Sequence, residues 1–148
     1  MSIVRGWCPS AHRPMMSGDG LLVRVNPLLG WLTATEALQL CELAERFGSG
    51  TIDLTSRANL QIRGVAEKDH PALLSGLIAA GLVDPEVDRE ARRNIVLGSS
   101  QVEDGPGEDL AQRIEARVDE LPDLPGKMGI AINLGRTLYD AVPGDFRF

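Results

Sequence analysis

Aromatic side chains are scarce in this chain, at 4% of 148 residues, and none falls among the polar residues of its most strand-like stretch. That scarcity argues against a base-stacking nucleic-acid platform. Positive charge is also in deficit: 15 Lys and Arg face 21 Asp and Glu, a formal net charge of -6. A nucleic-acid partner calls for a basic footprint, which this balance does not supply. The only cysteines, Cys8 and Cys41, lie far apart and in no ligand-like spacing. They do not make a disulfide scaffold, nor a metal or iron–sulfur site held by this chain alone. Long apolar runs are missing too, and the opening MSIVRGWCPSAHRP has no apolar signal core. A membrane partner is therefore not expected, and a cytoplasmic location is.

What is present is an ordinary globular composition, 43% hydrophobic and 24% charged, with length for one domain, or one and part of another. Residues 1–20 read as irregular, broken by Pro9, Pro14, Gly18 and Gly20. Leu21 to Val25 is the first expected strand, with Leu21, Val23 and Val25 on one face and Arg24 on the other. Thr33-Ala34-Thr35-Glu36 fits a capping box. The helix behind it carries a stripe of Ala37, Leu40, Cys41, Ala44 and Phe47, which predicts a buried thiol at Cys41. Asp69-His70-Pro71 opens a second helix with Leu73, Leu74, Leu77 and Ile78 on its apolar stripe, closed by Gly81.

Between the helices lies LTSRANLQIRGV, Leu54 to Val65. Two alternating runs, Thr51 to Thr55 and Leu60 to Val65, flank a polar connector and read as a hairpin. Alternation sends Ile52, Leu54, Leu60 and Ile62 to the core. Asp53, Thr55, Gln61 and Arg63 share the other face, with Arg57 at the joint. Such a face is either plain solvent surface or a platform for an anionic ligand. The order β-α-β-β-α predicts an α+β, ferredoxin-like half-domain over 21–83, an antiparallel sheet with both helices on one face. Residues 84–92 read as a charged connector. Beyond it, Arg93 to Leu97 predicts a strand, Glu108 to Leu121 a helix and Met128 to Leu134 a further strand, so that 93–148 looks like the first part of a second, unfinished unit.

RGWCP, PMMSGDGLLVRV and LTSRANLQIRGV together resemble the nitrite/sulfite reductase superfamily, and within it the precorrin-3B synthase family. The resemblance implies the N-terminal part of an oxygen-dependent monooxygenase of cobalamin synthesis, acting on the tetrapyrrole precorrin-3A. It implies a 4Fe–4S cluster held by a missing C-terminal half, and an external electron donor; sirohaem belongs to the alternative, a sulfite or nitrite reductase. This chain alone would then be inactive. The residues 93–148 would open a sirohaem-domain-like unit. Carried over position by position, Arg24, Arg57, Gln61, Arg93 and Lys127 match carboxylate- and anion-binding residues of the family, and Arg63 shares their sheet face. Guanidinium groups suit that task because they pair bidentately with carboxylates. Two family cations are absent: the pattern's second lysine falls on Gly129, and an arginine falls on Asp53. An uncharged oxidant such as dioxygen tolerates both changes. A stand-alone anion-binding module remains the third reading.

Overall fold

The computed structural model describes residues 8–98, 106–122, 128–133 and 144–148. Its first sheet holds β1 (Met15–Ser17), β2 (Gly20–Val25), β4 (Leu60–Val65) and β3 (Ile52–Leu54) in that spatial order, antiparallel throughout. Between β2 and β3 runs α1 (Ala34–Phe47), and α2 (His70–Ala79) follows β4. Strand β4 sits between β2 and β3, so the β-α-β crossover is split as in ferredoxin-like folds. Val23, Val25, Ile62 and Val65 pack with Leu40 and Ala44 of α1 and Leu73 and Leu77 of α2 in one core. Both helices therefore cover the same sheet face. Each large side chain fully buried there contributes roughly 1.5–3 kcal/mol.

Local chemistry fixes the pieces. The Thr33 hydroxyl accepts from the Glu36 amide at 3.2 Å while the Glu36 carboxylate accepts from the Thr33 amide at 2.7 Å, completing the capping box. A bulge displaces β4 against β2: Leu21 pairs with Val65 but Val23 with Ile62. The extra residue brings Val65 back to the core side. Gly64 makes this possible with φ of 67°, and a Cβ there would sit 2.8 Å from the Ser49 Cβ. Helix α2 closes through Gly81, with the Leu82 amide donating to the Leu77 carbonyl at 3.0 Å.

Several expectations need correction. Residues 1–20 are not wholly irregular, because Met15–Ser17 adds an edge strand whose length is too short to show a period. Cys41 is exposed. The buried stripe of α1 is rotated toward Leu40, Leu43, Ala44 and Phe47, since the helix faces α2 as well as the sheet. Leu54 is 82% exposed. Its pairing with Leu60 sets it on the helix side, but at the last residue of an edge strand the helices no longer reach it. The supposed connector 84–92 contains a helix, α3 (Val87–Arg92).

A second, parallel sheet has the order β5 (Ile95–Leu97), β6 (Ile130–Ile132), β7 (Phe146–Arg147). Helix α4 (Pro106–Ala116) crosses between β5 and β6 and packs Ala111, Leu110 and Ile114 on Ile95, Leu97 and Ile132. The two units are joined at the segment after β2. Leu29 packs into the second core, and the Trp31 indole N–H donates to the Leu97 carbonyl at 3.1 Å.

Candidate functional site

On the sheet face away from α1 and α2, register sets a row: Arg24 pairs with Gln61, and Gln61 with Asp53. Directly opposed residues project to one side, so these three share that face with Arg63, two residues along β4. Arg24 and Gln61 are half-buried. The Nε of Arg24 and the Oδ1 of Asn26 are buried and lack a hydrogen-bond partner. A donor and an acceptor left over two positions apart ask for a polar ligand or ordered water to complete them.

Arg63 is already engaged. Its Nε and Nη2 donate to the Asp19 carboxylate at 3.1 and 3.0 Å, Nη2 also reaches the Ser17 hydroxyl at 3.0 Å, and Asp53 lies 3.5 Å away. This fork ties the β1–β2 turn to β4. The hydrogen bond from Arg63 holds the Asp19 carboxyl below its usual value, and Asp19 in turn raises Arg63. Asp53 thus serves as a further partner of Arg63.

Arg57 stands at the hairpin tip. The Thr55 hydroxyl accepts from the amides of Arg57 and Asn59 at 3.4 and 3.2 Å, the Thr55 amide donates to the Asn59 carbonyl at 2.9 Å, and Ala58 takes φ of 55°. A side-chain-to-backbone turn of this kind presents residue 57 outward. Its side chain lines a cleft of about 190 Å³, together with Asn94, Val96, Gly129, Gly144, Asp145 and Arg147. Two of the lining residues, Gly129 and Gly144, bring bare backbone to it. A Cβ on Gly129 would lie 2.9 Å from the Asn94 amide nitrogen, and one on Gly144 would lie 2.6 Å from the Ala131 Cβ. The Asn94 amide donates to the Met128 carbonyl at 2.8 Å, and the Gly129 amide donates to the Asp145 carboxylate at 2.9 Å.

Arg93 does not line that cleft. It is 8% exposed, with Nη1 donating to the Glu90 carboxylate at 3.1 Å and Nε lying 3.7 Å from the Glu115 carboxylate, an ion pair beyond hydrogen-bond range. Burial pushes the Glu90 carboxyl up despite an amide donated by Asp84 and the charge of Arg93. Arg89 extends the network to Asp84, Glu115 and Asp119. Lys127 lies outside the described residues. The six candidates therefore divide: Arg24, Gln61 and Arg63 share the sheet face, Arg57 belongs to the cleft, and Arg93 belongs to the α3–α4 network. Asn26, Asn94 and Arg147 were not singled out from sequence. Asn26 follows a readable strand by one residue, whereas Arg147 sits in a two-residue strand with no periodicity to read.

Comparison with known proteins follows this division. Residues 13–80 match the nitrite/sulfite reductase ferredoxin-like half domain. That stretch is such a half domain. The chain is 47% identical over 76 residues to a precorrin-3B synthase from a Sinorhizobium species, across 51% of this chain and 17% of that protein. It is 30% identical over 142 residues to the ferredoxin–nitrite reductase of Synechococcus elongatus, across 88% of this chain and 28% of the relative. The Mycobacterium tuberculosis NirA structure superposes with a TM-score of 0.64 at 22% identity, over 81% of this chain and 23% of that one, a likeness of fold. The chain thus spans under a third of these relatives' lengths. The relatives named are oxidoreductases, and the half domain here accounts for the first sheet with α1 and α2.

Proposed function

We propose that this chain is the N-terminal, tetrapyrrole-binding part of a precorrin-3B synthase, an oxygen-dependent monooxygenase that converts precorrin-3A to precorrin-3B in aerobic cobalamin synthesis. The 47% identity over 76 residues supports the family member. The observation that carries the binding role is the orphaned Arg24 Nε, opposite Gln61 on the face without helices, with the orphaned Asn26 Oδ1 two residues on in the chain. That set fits a carboxylate arm and its neighbouring ring polar groups. Arg24, Gln61 and Arg57 hold the ligand, while Arg63 and Arg93 hold the scaffold, since both are matched by carboxylates of this chain.

A 4Fe–4S cluster would supply electrons to dioxygen chemistry when bound. Among the described residues no three His, Cys, Asp or Glu are grouped for a metal, and on this reading its ligands lie elsewhere. They belong to the remainder of the enzyme, as does the contact with an electron donor. A cytoplasmic setting suits this role, and no described helix is long and apolar enough to cross a membrane.

Similarity to a nitrite reductase across 88% of the chain favours a second reading, a sirohaem enzyme reducing nitrite or sulfite. Asp53 and Gly129 oppose it, because they remove two cations from the family's anion site. Supplying the full-length enzyme with precorrin-3A, dioxygen and an electron donor decides between them. Dioxygen-dependent conversion of precorrin-3A, with Arg24→Ala losing it, is expected. Reduction of nitrite or sulfite without turnover of precorrin-3A would overturn the proposal.

A further inference from the structure

We propose that the cleft between the hairpin tip and the second sheet is a carboxylate subsite in which Arg147 is a ligand-binding residue, acting with Arg57. The inference rests on the tetrapyrrole reading above and adds a second anchoring point to it. The cleft draws its walls from both units, Arg57 from the first and Arg147 from β7. Pairing of Ala131 with Arg147 in the parallel sheet fixes the backbone at that position. The Arg147 Nε turns to the Gly144 carbonyl at 3.3 Å, and among the described residues no carboxylate pairs with this guanidinium.

Two features make the space a receptor. Gly129 and Gly144 bring bare backbone to its lining, and neither position accepts a Cβ without displacing Asn94 or Ala131. Asp145, the one acid among the described lining residues, has its carboxylate drawn to the Gly129 amide at 2.9 Å. Among the described lining residues, two arginines stand with one aspartate. Size then limits the occupant. At about 190 Å³ the cleft is smaller than the ~300–1,000 Å³ of ordinary small-molecule sites. It has room for a carboxylate arm, not for a macrocycle. The ring would lie outside, with other arms along the Arg24–Gln61 row.

The test is a fluorescence-quenching titration of this chain with uroporphyrin, a stable tetrapyrrole bearing eight carboxylates. Arg147→Gln and Arg57→Gln are each expected to weaken binding about tenfold, the loss of one charged hydrogen-bond pair. The double variant should lose less than the product of the two, because both groups hold one arm. Arg113→Gln on α4 changes the same charge on a surface away from the cleft and should leave binding unchanged. Arg147→Lys, which keeps charge but loses the fork, should lose severalfold and carries the test should Arg147→Gln fail to fold. If Arg57→Gln weakens binding and both Arg147 variants bind as the unsubstituted chain does, the inference fails while the tetrapyrrole reading stands. If the unsubstituted chain binds no uroporphyrin, both fail.

Discussion

At the residue scale, the arginines of this chain differ less in charge than in what already surrounds them. Arg63 spends its fork on Asp19 and lies near Asp53, whereas Arg24 keeps a buried Nε without a partner. Arg24→Ala should therefore weaken ligand binding more than Arg63→Ala, which should mainly lower the melting temperature. The second effect has a pH signature. Pairing with Arg63 lowers the Asp19 carboxyl from its usual 3.8, so its stabilising contribution is present above that value and is lost as pH falls through the lower folded value. Thermal melts of the chain and of Arg63→Ala should differ at neutral pH and converge in acid. A constant difference down to the acid limit would show that the Asp19 pairing is not the cause. The side of the sheet on which Arg24, Gln61 and Arg63 project was legible from alternation alone. The partner of Arg63 was not, because Asp19 is 44 residues away in sequence. Cys41 was misplaced for a related reason: a stripe read from one helix does not reveal a second helix packed beside it.

At the element scale, the long patterned pieces were readable and the short ones were not. The capping box, the two helical stripes and the alternating hairpin all carry repeated signals. β1 with three residues and α3 with six carry none. Their formation depends on partners: β1 on the edge of β2, and α3 on the burial of Glu90. The bulge at Gly64 is a further case, since a left-handed residue inside a strand shows in sequence only as a glycine. Gly64→Ala combines a positive φ with a 2.8 Å approach to Ser49 and should cost about 1–3 kcal/mol in urea unfolding. Thr33→Ala removes one arm of the capping box and should cost about 1 kcal/mol. A Gly64→Ala variant as stable as the parent would mean that the bulge does not set the register of Val65.

At the scale of the whole molecule, two sheets meet at Leu29, Trp31 and the hairpin tip, and that meeting creates the cleft. Sequence gave no access to it, because Arg57 and Arg147 are brought together only by packing between units. The α3–α4 network supports the second unit. Glu90→Ala would leave Arg93 buried without its nearest carboxylate and should cost about 3–5 kcal/mol. Burial raises the Glu90 carboxyl above its usual 4.5, so its contribution is fully present below that value and declines as pH rises through the folded value. Against Glu90→Gln, the chain should therefore lose relative stability as pH rises across that range.

The central claim is that the sheet face bearing Arg24 and Gln61, with Asn26 just beyond the end of β2, receives a polycarboxylate tetrapyrrole. Nitrogen–proton correlation spectra of the isotope-labelled chain, recorded with increasing uroporphyrin, address it directly. Tetrapyrrole recognition by this face requires the largest changes at the Arg24 Nε–H, the Asn26 and Gln61 side-chain amides and the backbone of residues 55–59. Saturable changes confined to the outer surfaces of α1 and α2, with those signals unmoved, would contradict it.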